Sequence, residues 1–173
     1  MTRADPPANG GPAVGTLEER VRRLEDLEAL RALDAAYCRL LDDGEWAALV
    51  ELFTTDGEFV GLSRARGRAA LLEFFTGLAE GGLTAFWHHV TNLEIDLDGD
   101  TAYLRSFLWQ PCVLHGQAHI AAGRYADVAV RVGEGRWRYR SKRVTFDYFA
   151  PLAEGWAAGR YALASARPGN RER

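Results

Sequence analysis

The stretch Thr91-Asn92-Leu93-Glu94-Ile95-Asp96-Leu97-Asp98-Gly99 marks where the chain stops repeating every three to four residues and begins repeating every two. Thr91, Leu93, Ile95 and Leu97 alternate with Asn92, Glu94 and Asp96, the pattern of a strand with one buried face, and Asp98-Gly99 is a strong hairpin signal. Three more strands are predicted downstream, at roughly 101–112, 117–132 and 136–148, with Glu134-Gly135 turning between the last two.

Upstream the period is helical. Thr16 and Glu19 have capping-box spacing, and Leu17, Val21, Leu24, Leu27, Leu30, Leu33, Tyr37, Leu40 and Leu41 recur at three and four residues. They predict a helix to about Leu41, extended or broken in its charged first part, with Gly44 in the place of a C-cap glycine. A second helix, Glu45 to Phe53, presents Trp46, Leu49, Val50 and Phe53 on one face and stops at a turn, Thr54 to Gly57. A brief strand, Glu58 to Leu62, precedes a third helix that opens at Gly67 and carries Leu71, Leu72, Phe74, Phe75 and Leu78. Helices first and an antiparallel meander second predict an α+β fold, with helices closing a curved sheet into a cone that has a pocket inside.

A chain of 173 residues is the size of one domain, expected over 16–155. Residues 1–15 hold three of the six prolines and read as a flexible arm, and 156–173 read as a tail. A net charge of -3 provides no basic field for nucleic acid, and the run from Arg136 to Arg143 reads as an exposed strand with solvated charges. Cys38 and Cys112 are too few and too far apart for a disulfide framework or a zinc site, and read as small core residues in a reducing cytoplasm. With no apolar leader and no long apolar run, a soluble cytoplasmic protein that leaves membranes alone is expected.

Histidine can move a proton near neutrality when a carboxylate fixes its tautomer. The chain has four, His88, His89, His115 and His119, and the candidate partners are Asp34, Asp42 and Asp43. Strand alternation puts His89 in phase with Thr91, Leu93 and Ile95, and His88 in phase with Asn92 and Glu94, which leaves open the one that faces the pocket. His115 and His119, four apart in a predicted loop and strand, do not form a helical ligand pair, so no metal is expected. No dinucleotide, phosphate-loop or nucleophile-elbow motif is present, and no cofactor is expected. Phe59, Phe75, Trp87, Trp109 and Tyr148 are the expected pocket walls, implying a hydrophobic small-molecule substrate.

The run Tyr37-Cys-Arg-Leu-Leu-Asp42-Asp-Gly-Glu-Trp46-Ala-Ala-Leu49, followed by Leu52-Phe53-Thr-Thr-Asp56-Gly-Glu-Phe59, resembles the opening of SnoaL-like proteins of the nuclear transport factor 2-like superfamily. The similarity continues through His88-His-Val-Thr-Asn92, Asp98-Gly-Asp100-Thr-Ala102, Gly123-Arg-Tyr125-Ala-Asp127 and Gly135-Arg-Trp137-Arg-Tyr139. Within that superfamily it resembles the branch of scytalone dehydratase, bile acid 7α-dehydratase and hexachlorocyclohexane dehydrochlorinase. The resemblance implies a cone fold, elimination by an Asp/His base on Asp42 and His88, a catalytic tyrosine at Tyr37, a functional arginine at Arg131 and a homodimer or higher homo-oligomer. It also implies that Asp147 to Ala153 belong to a segment closing over the pocket. Leu41, where scytalone dehydratase has a tyrosine, and Cys112, near its second histidine, depart from that enzyme. The same base could serve an isomerase or an aldol-type polyketide cyclase, and the same fold a non-catalytic binding or assembly module.

Overall fold

The computed structural model describes residues 15–133 and 135–154, so the expected arm (apart from Gly15), the expected tail and Glu134 lie outside the described residues. Helix α1 (Leu17–Asp42) and helix α2 (Trp46–Glu51) lead into strands β1 (Phe53–Val60) and β2 (Arg64–Arg66), and helix α3 (Arg68–Glu80) follows. The remainder is β3 (Leu83–Phe86), β4 (His89–Asp98), β5 (Thr101–Leu114), β6 (Gln117–Val132) and β7 (Arg136–Pro151), ending in a 3-10 turn at Leu152–Glu154. One seven-stranded sheet has the order β2-β1-β7-β6-β5-β3, with β4 also paired to β5. Every pairing is antiparallel except β1 with β7. The result is the α+β cone, a curled mixed sheet closed by helices. Among the described residues no helix is long and apolar enough to cross a membrane.

The predicted capping box is present: Thr16 Oγ1 accepts from the Glu19 N–H at 3.2 Å and Glu19 Oε2 accepts from the Thr16 N–H at 2.7 Å. The helix it starts is unbroken for 26 residues, but Leu17, Val21 and Leu24 are exposed and full burial begins only at Leu30. Gly44, at φ +72°, takes the left-handed conformation that turns the chain after α1.

The expected turn at Thr54 to Gly57 lies instead inside β1, which begins five residues before the predicted Glu58. The register against β7 shifts there, from Phe53↔Tyr139 to Glu58↔Ser141. The backbones crowd at that point, since a Cβ on Gly57 would sit 2.9 Å from the Tyr139 carbonyl oxygen.

Three extra residues control which side chains enter the cone. On β4, Thr91 pairs with Phe107 and Glu94 with Arg105, so Asn92 and Leu93 both stand opposite Ser106, with Asn92 at φ +55°. Asparagine is among the few residues that tolerate that conformation. On β7, Arg140 has no partner between Tyr139↔Ala129 and Ser141↔Val128, and Asp147 has none between Phe146↔Gly123 and Tyr148↔Ala122. Each extra residue exchanges the faces of the strand on its two sides. The stretch from Arg136 to Arg143 is therefore not a uniformly solvated strand: Trp137, Tyr139 and Lys142 are all buried.

Arg131 has a structural task at the exposed half of α1. Its guanidinium donates to both oxygens of Asp26 at 2.7 Å and to Asp100 Oδ1 at 2.9 Å, and it stacks 4.6 Å from the Trp137 ring centroid. Trp137 Nε1 donates to the same Asp26 at 3.1 Å. These contacts tie α1 to β6, β7 and the β4–β5 turn.

The hydrogen bond from Arg131 holds the Asp26 carboxyl below the usual carboxylate range against the opposing effect of burial. Arg131→Ala is expected to lower unfolding free energy by about 2 kcal/mol at neutral pH, measured by urea denaturation. A depressed carboxylate contributes stability above its unfolded value of about 3.9 and loses it as pH falls through the folded value. The gap between wild type and variant should therefore close as pH falls below about 4, and a gap that widened would exclude the clamp.

Candidate active site

Asp42 is the last residue of α1, where Gly44 turns the chain. Its Oδ1 lies 2.5 Å from His88 Nδ1, and its Oδ2 accepts from the His88 backbone N–H at 2.9 Å. A carboxylate has no proton to give in this arrangement, so Nδ1 carries the hydrogen and the lone pair of the neutral ring sits on Nε2. Nε2 has no hydrogen-bond partner among the described residues, while the His88 side chain is 6% exposed and lines a cavity. Phe86, two residues earlier, meets the imidazole edge-on with ring centroids 5.5 Å apart.

The extra residue at Asn92–Leu93 decides the choice that simple alternation left open. With it, Phe86, His88 and Val90 share the inner side with Leu93, Ile95 and Leu97, whereas His89 is exposed and pairs with Trp109 on the outer side.

The cavity lies beside His88, and Tyr37, Gln110 and Tyr125 are the other polar side chains of its wall. Past Phe74, Leu78, Leu83 and Phe146 it continues into an outer apolar space that reaches Leu114 and Phe149. Of the expected walls, Phe59 and Phe75 line the inner cavity. Trp87 does not; it lies between β3 and β4 and is 53% exposed. Trp109 and Tyr148 stand on the outer face, in the row His89–Trp109–Ala122–Tyr148, because Asp147 turns Phe149 inward in place of Tyr148. Gln110, Tyr125, Phe86 and Phe146 were not foreseen. A signal for Gln110 existed, since Ala102, Leu104, Leu108 and Cys112 form the buried alternation of β5 to which it belongs and Trp109 does not.

Tyr37 is fully buried and its hydroxyl has no partner among the described residues. Burial, reinforced by Asp127 and other nearby acids, pushes its pKa well above the usual tyrosine value, so it remains a donor. Burial likewise pushes the Cys38 thiol up to about 12 and raises that of Cys112, which favours the protonated thiol in both. Arg131 lies in the clamp and outside the cavity lining. His115 occupies the β5–β6 turn at φ +50°, and His119 Nδ1 is 2.9 Å from the Gln117 carbonyl. Among the described residues no three His, Cys, Asp or Glu side chains gather as metal ligands.

The curled sheet and its helices thus form a cone-shaped α+β fold with an aspartate-bonded histidine in the wall of an apolar cavity. The chain belongs to the SnoaL-like domain family, which matches residues 22–143. An NTF2-like protein with a cystatin-like fold from Novosphingobium aromaticivorans is 30% identical, with a TM-score of 0.61 over 89% of this chain and 99% of that one. A candidate scytalone dehydratase from Novosphingobium aromaticivorans is 23% identical, with a TM-score of 0.68 over 75% of this chain and 89% of that one. The hexachlorocyclohexane dehydrochlorinase LinA-type3 of Novosphingobium barchaimii is 20% identical, with a TM-score of 0.71 over 78% of this chain and 94% of that one. The last two likenesses show the fold. Comparison with curated protein sequences gives no significant match.

Beneath Tyr37 lies an ion cluster that the sequence reading missed. Lys142, 0% exposed, donates to Asp127 Oδ2 at 2.7 Å and to Asp34 Oδ1 at 3.2 Å. Its Nζ also lies 4.3 Å from the ring centroids of Tyr37 and Tyr125 and 4.5 Å from that of Tyr139. Burial alone would lower the Lys142 pKa, but the attraction of two carboxylates holds it above its ordinary value. Each carboxylate shares one cation and repels the other, and burial pushes Asp127 up to about 6.

Lys142→Met should leave two buried carboxylates without their cation and cost about 3–5 kcal/mol in urea unfolding. Combining it with Asp34→Asn and Asp127→Asn should recover most of the loss, because a neutral cluster no longer strands a charge. An equal loss in the single and triple variants would assign the effect to packing alone.

Proposed function

We propose that this chain is a cofactor-independent lyase that removes an acidic proton from a hydrophobic small molecule and eliminates water or a comparable group. The observation carrying this reading is the Asp42–His88 pair, whose Nε2 is left without a partner in the wall of an apolar cavity. A dehydratase candidate and a dehydrochlorinase among the structural neighbours support elimination as the reaction type.

In this mechanism Nε2 takes the proton from carbon, and the C–H electron pair becomes the new carbon–carbon double bond as the C–O bond breaks. Asp42 balances the imidazolium that forms. The same proton passes to the departing hydroxide, so one water leaves and neutral His88 is regenerated. Tyr37, protonated and without a partner, donates a hydrogen bond to the negative charge that develops in the cavity. An isomerase or an aldol-type cyclase would use the same first step, and its product would keep the mass of the substrate.

The test is proton exchange at the α-carbon of hydrophobic β-hydroxy carbonyl compounds in deuterated water, with product mass read alongside. Wild type should yield a product lighter by one water. His88→Ala and Asp42→Asn should each lose about 10²- to 10⁴-fold, the double variant little more, and His89→Ala little. Water loss surviving in His88→Ala would exclude the proposed base, exchange without loss of water would favour the isomerase or cyclase, and neither water loss nor exchange by wild type would favour a binding module. Tyr37→Phe should fold as stably as wild type or up to about 1 kcal/mol more stably, because it deletes an unpaired buried hydroxyl. Its turnover should nevertheless fall by about tenfold or more.

A further inference from the structure

Gln110 is 6% exposed, and its side-chain amide makes no hydrogen bond among the described residues. A buried amide without a partner is costly unless something else completes it. Its place in the sheet is specific. Phe86↔Cys112 and His89↔Trp109 share one register, and between them the Trp87 N–H donates to the Pro111 carbonyl at 3.1 Å, so Gln110 stands directly across from His88. Opposed residues in such a pair have Cβ atoms about 4.5–5.5 Å apart. Gln110 also lines both the inner cavity and the outer apolar space, which puts it at the waist where they join.

The charges around this waist limit what can bind. Among the described residues no Lys or Arg lines either space, and the one acidic side chain at the outer space is Glu73. The nearest buried cation, Lys142, is occupied by Asp127 and Asp34 and covered by tyrosine rings. Without a Lys or Arg among the described lining residues, the desolvation of a fully anionic ligand has no opposite charge to offset it.

We propose that Gln110 determines the specificity of this cavity: its amide N–H donates to the carbonyl oxygen of a neutral, otherwise hydrophobic ligand. A carbonyl held there sets the adjacent carbon beside His88, so the inference deepens the lyase reading and rests on it for catalytic meaning, while its binding consequence can be read separately.

The full chain, as wild type, Gln110→Leu and His88→Ala, is titrated by tryptophan fluorescence with 2-acetylnaphthalene, with its hydrocarbon isostere 2-isopropenylnaphthalene and with 2-naphthoate. Gln110→Leu should weaken the ketone about five- to tenfold and leave the hydrocarbon unchanged or tighter, the effect of one neutral hydrogen bond. His88→Ala should keep the wild-type ratio of ketone to hydrocarbon. That pattern supports the anchor whether or not any protein turns the ketone over, so failure of the lyase reading stays distinguishable. Equal weakening of ketone and hydrocarbon in Gln110→Leu, an unchanged ratio, no ketone binding by wild type, or naphthoate binding as tight as the ketone would each overturn it.

Discussion

A strand has two faces, and a single unpaired residue exchanges them. The structure depends on that constraint at three positions. The extra residue at Asn92–Leu93 delivers His88 to the cavity and His89 to the outside, Arg140 delivers Lys142 to the core, and Asp147 sends Phe149 inward and Tyr148 outward. A perfectly regular meander would have placed His89, and not His88, on the same side as Leu93 and Ile95. The irregularities therefore build the site, and Asn92 can hold its left-handed conformation because its short polar side chain tolerates it.

The buried polar groups divide into two kinds. Lys142, Asp34, Asp127 and Tyr139 hydrogen-bond one another in the core between α1, β6 and β7. Tyr37 covers that cluster with its buried hydroxyl unpartnered among the described residues, and Gln110 lines the cavity with no hydrogen bond among them. A satisfied network stiffens a structure, whereas unsatisfied groups subtract from stability and are retained where something else uses them. The two kinds meet at Tyr37, whose ring covers Lys142 while its hydroxyl remains unpaired. The network thus fixes the ring and leaves the hydroxyl available.

Much of the framework was legible in the residues. The capping box at Thr16, the three-and-four spacing of α1, the left-handed Gly44 and the period of two after His89 are local signals, and each gave its element nearly to the residue. Asp42 stood out among Asp34, Asp42 and Asp43 only through the resemblance to SnoaL-like proteins, since its place before Gly44 suits a solvated carboxylate equally well. Parity was not legible, because an unpaired residue leaves no mark in a hydrophobic pattern beyond a shift that looks like noise; Trp109 and Tyr148 were misplaced for this reason. For Arg131, a sequence position shared with a functional arginine does not reveal that Asp26, 105 residues earlier, and Asp100 accept its hydrogen bonds. Lys142 was misread because the surrounding arginines made the whole segment look solvated.

The position of Asp42 carries a further physical consequence. A helix C-terminus bears partial negative charge from its free carbonyls, which makes it an unfavourable place for a carboxylate. Arg39, in the last turn, forms its ion pair with the neighbouring Asp43 at 3.6 Å, so Asp42 is not neutralised by its own helix. Its two acceptor contacts are instead the backbone N–H and the ring Nδ1–H of one residue, His88, 46 positions away. The backbone contact fixes where β4 begins relative to α1, and the ring contact fixes the tautomer, so the seam that closes the cone and the orientation of the imidazole are one interaction. A positive charge arising on the ring would meet both the carboxylate and the negative end of α1, the one place in the cavity wall where the fold itself favours it.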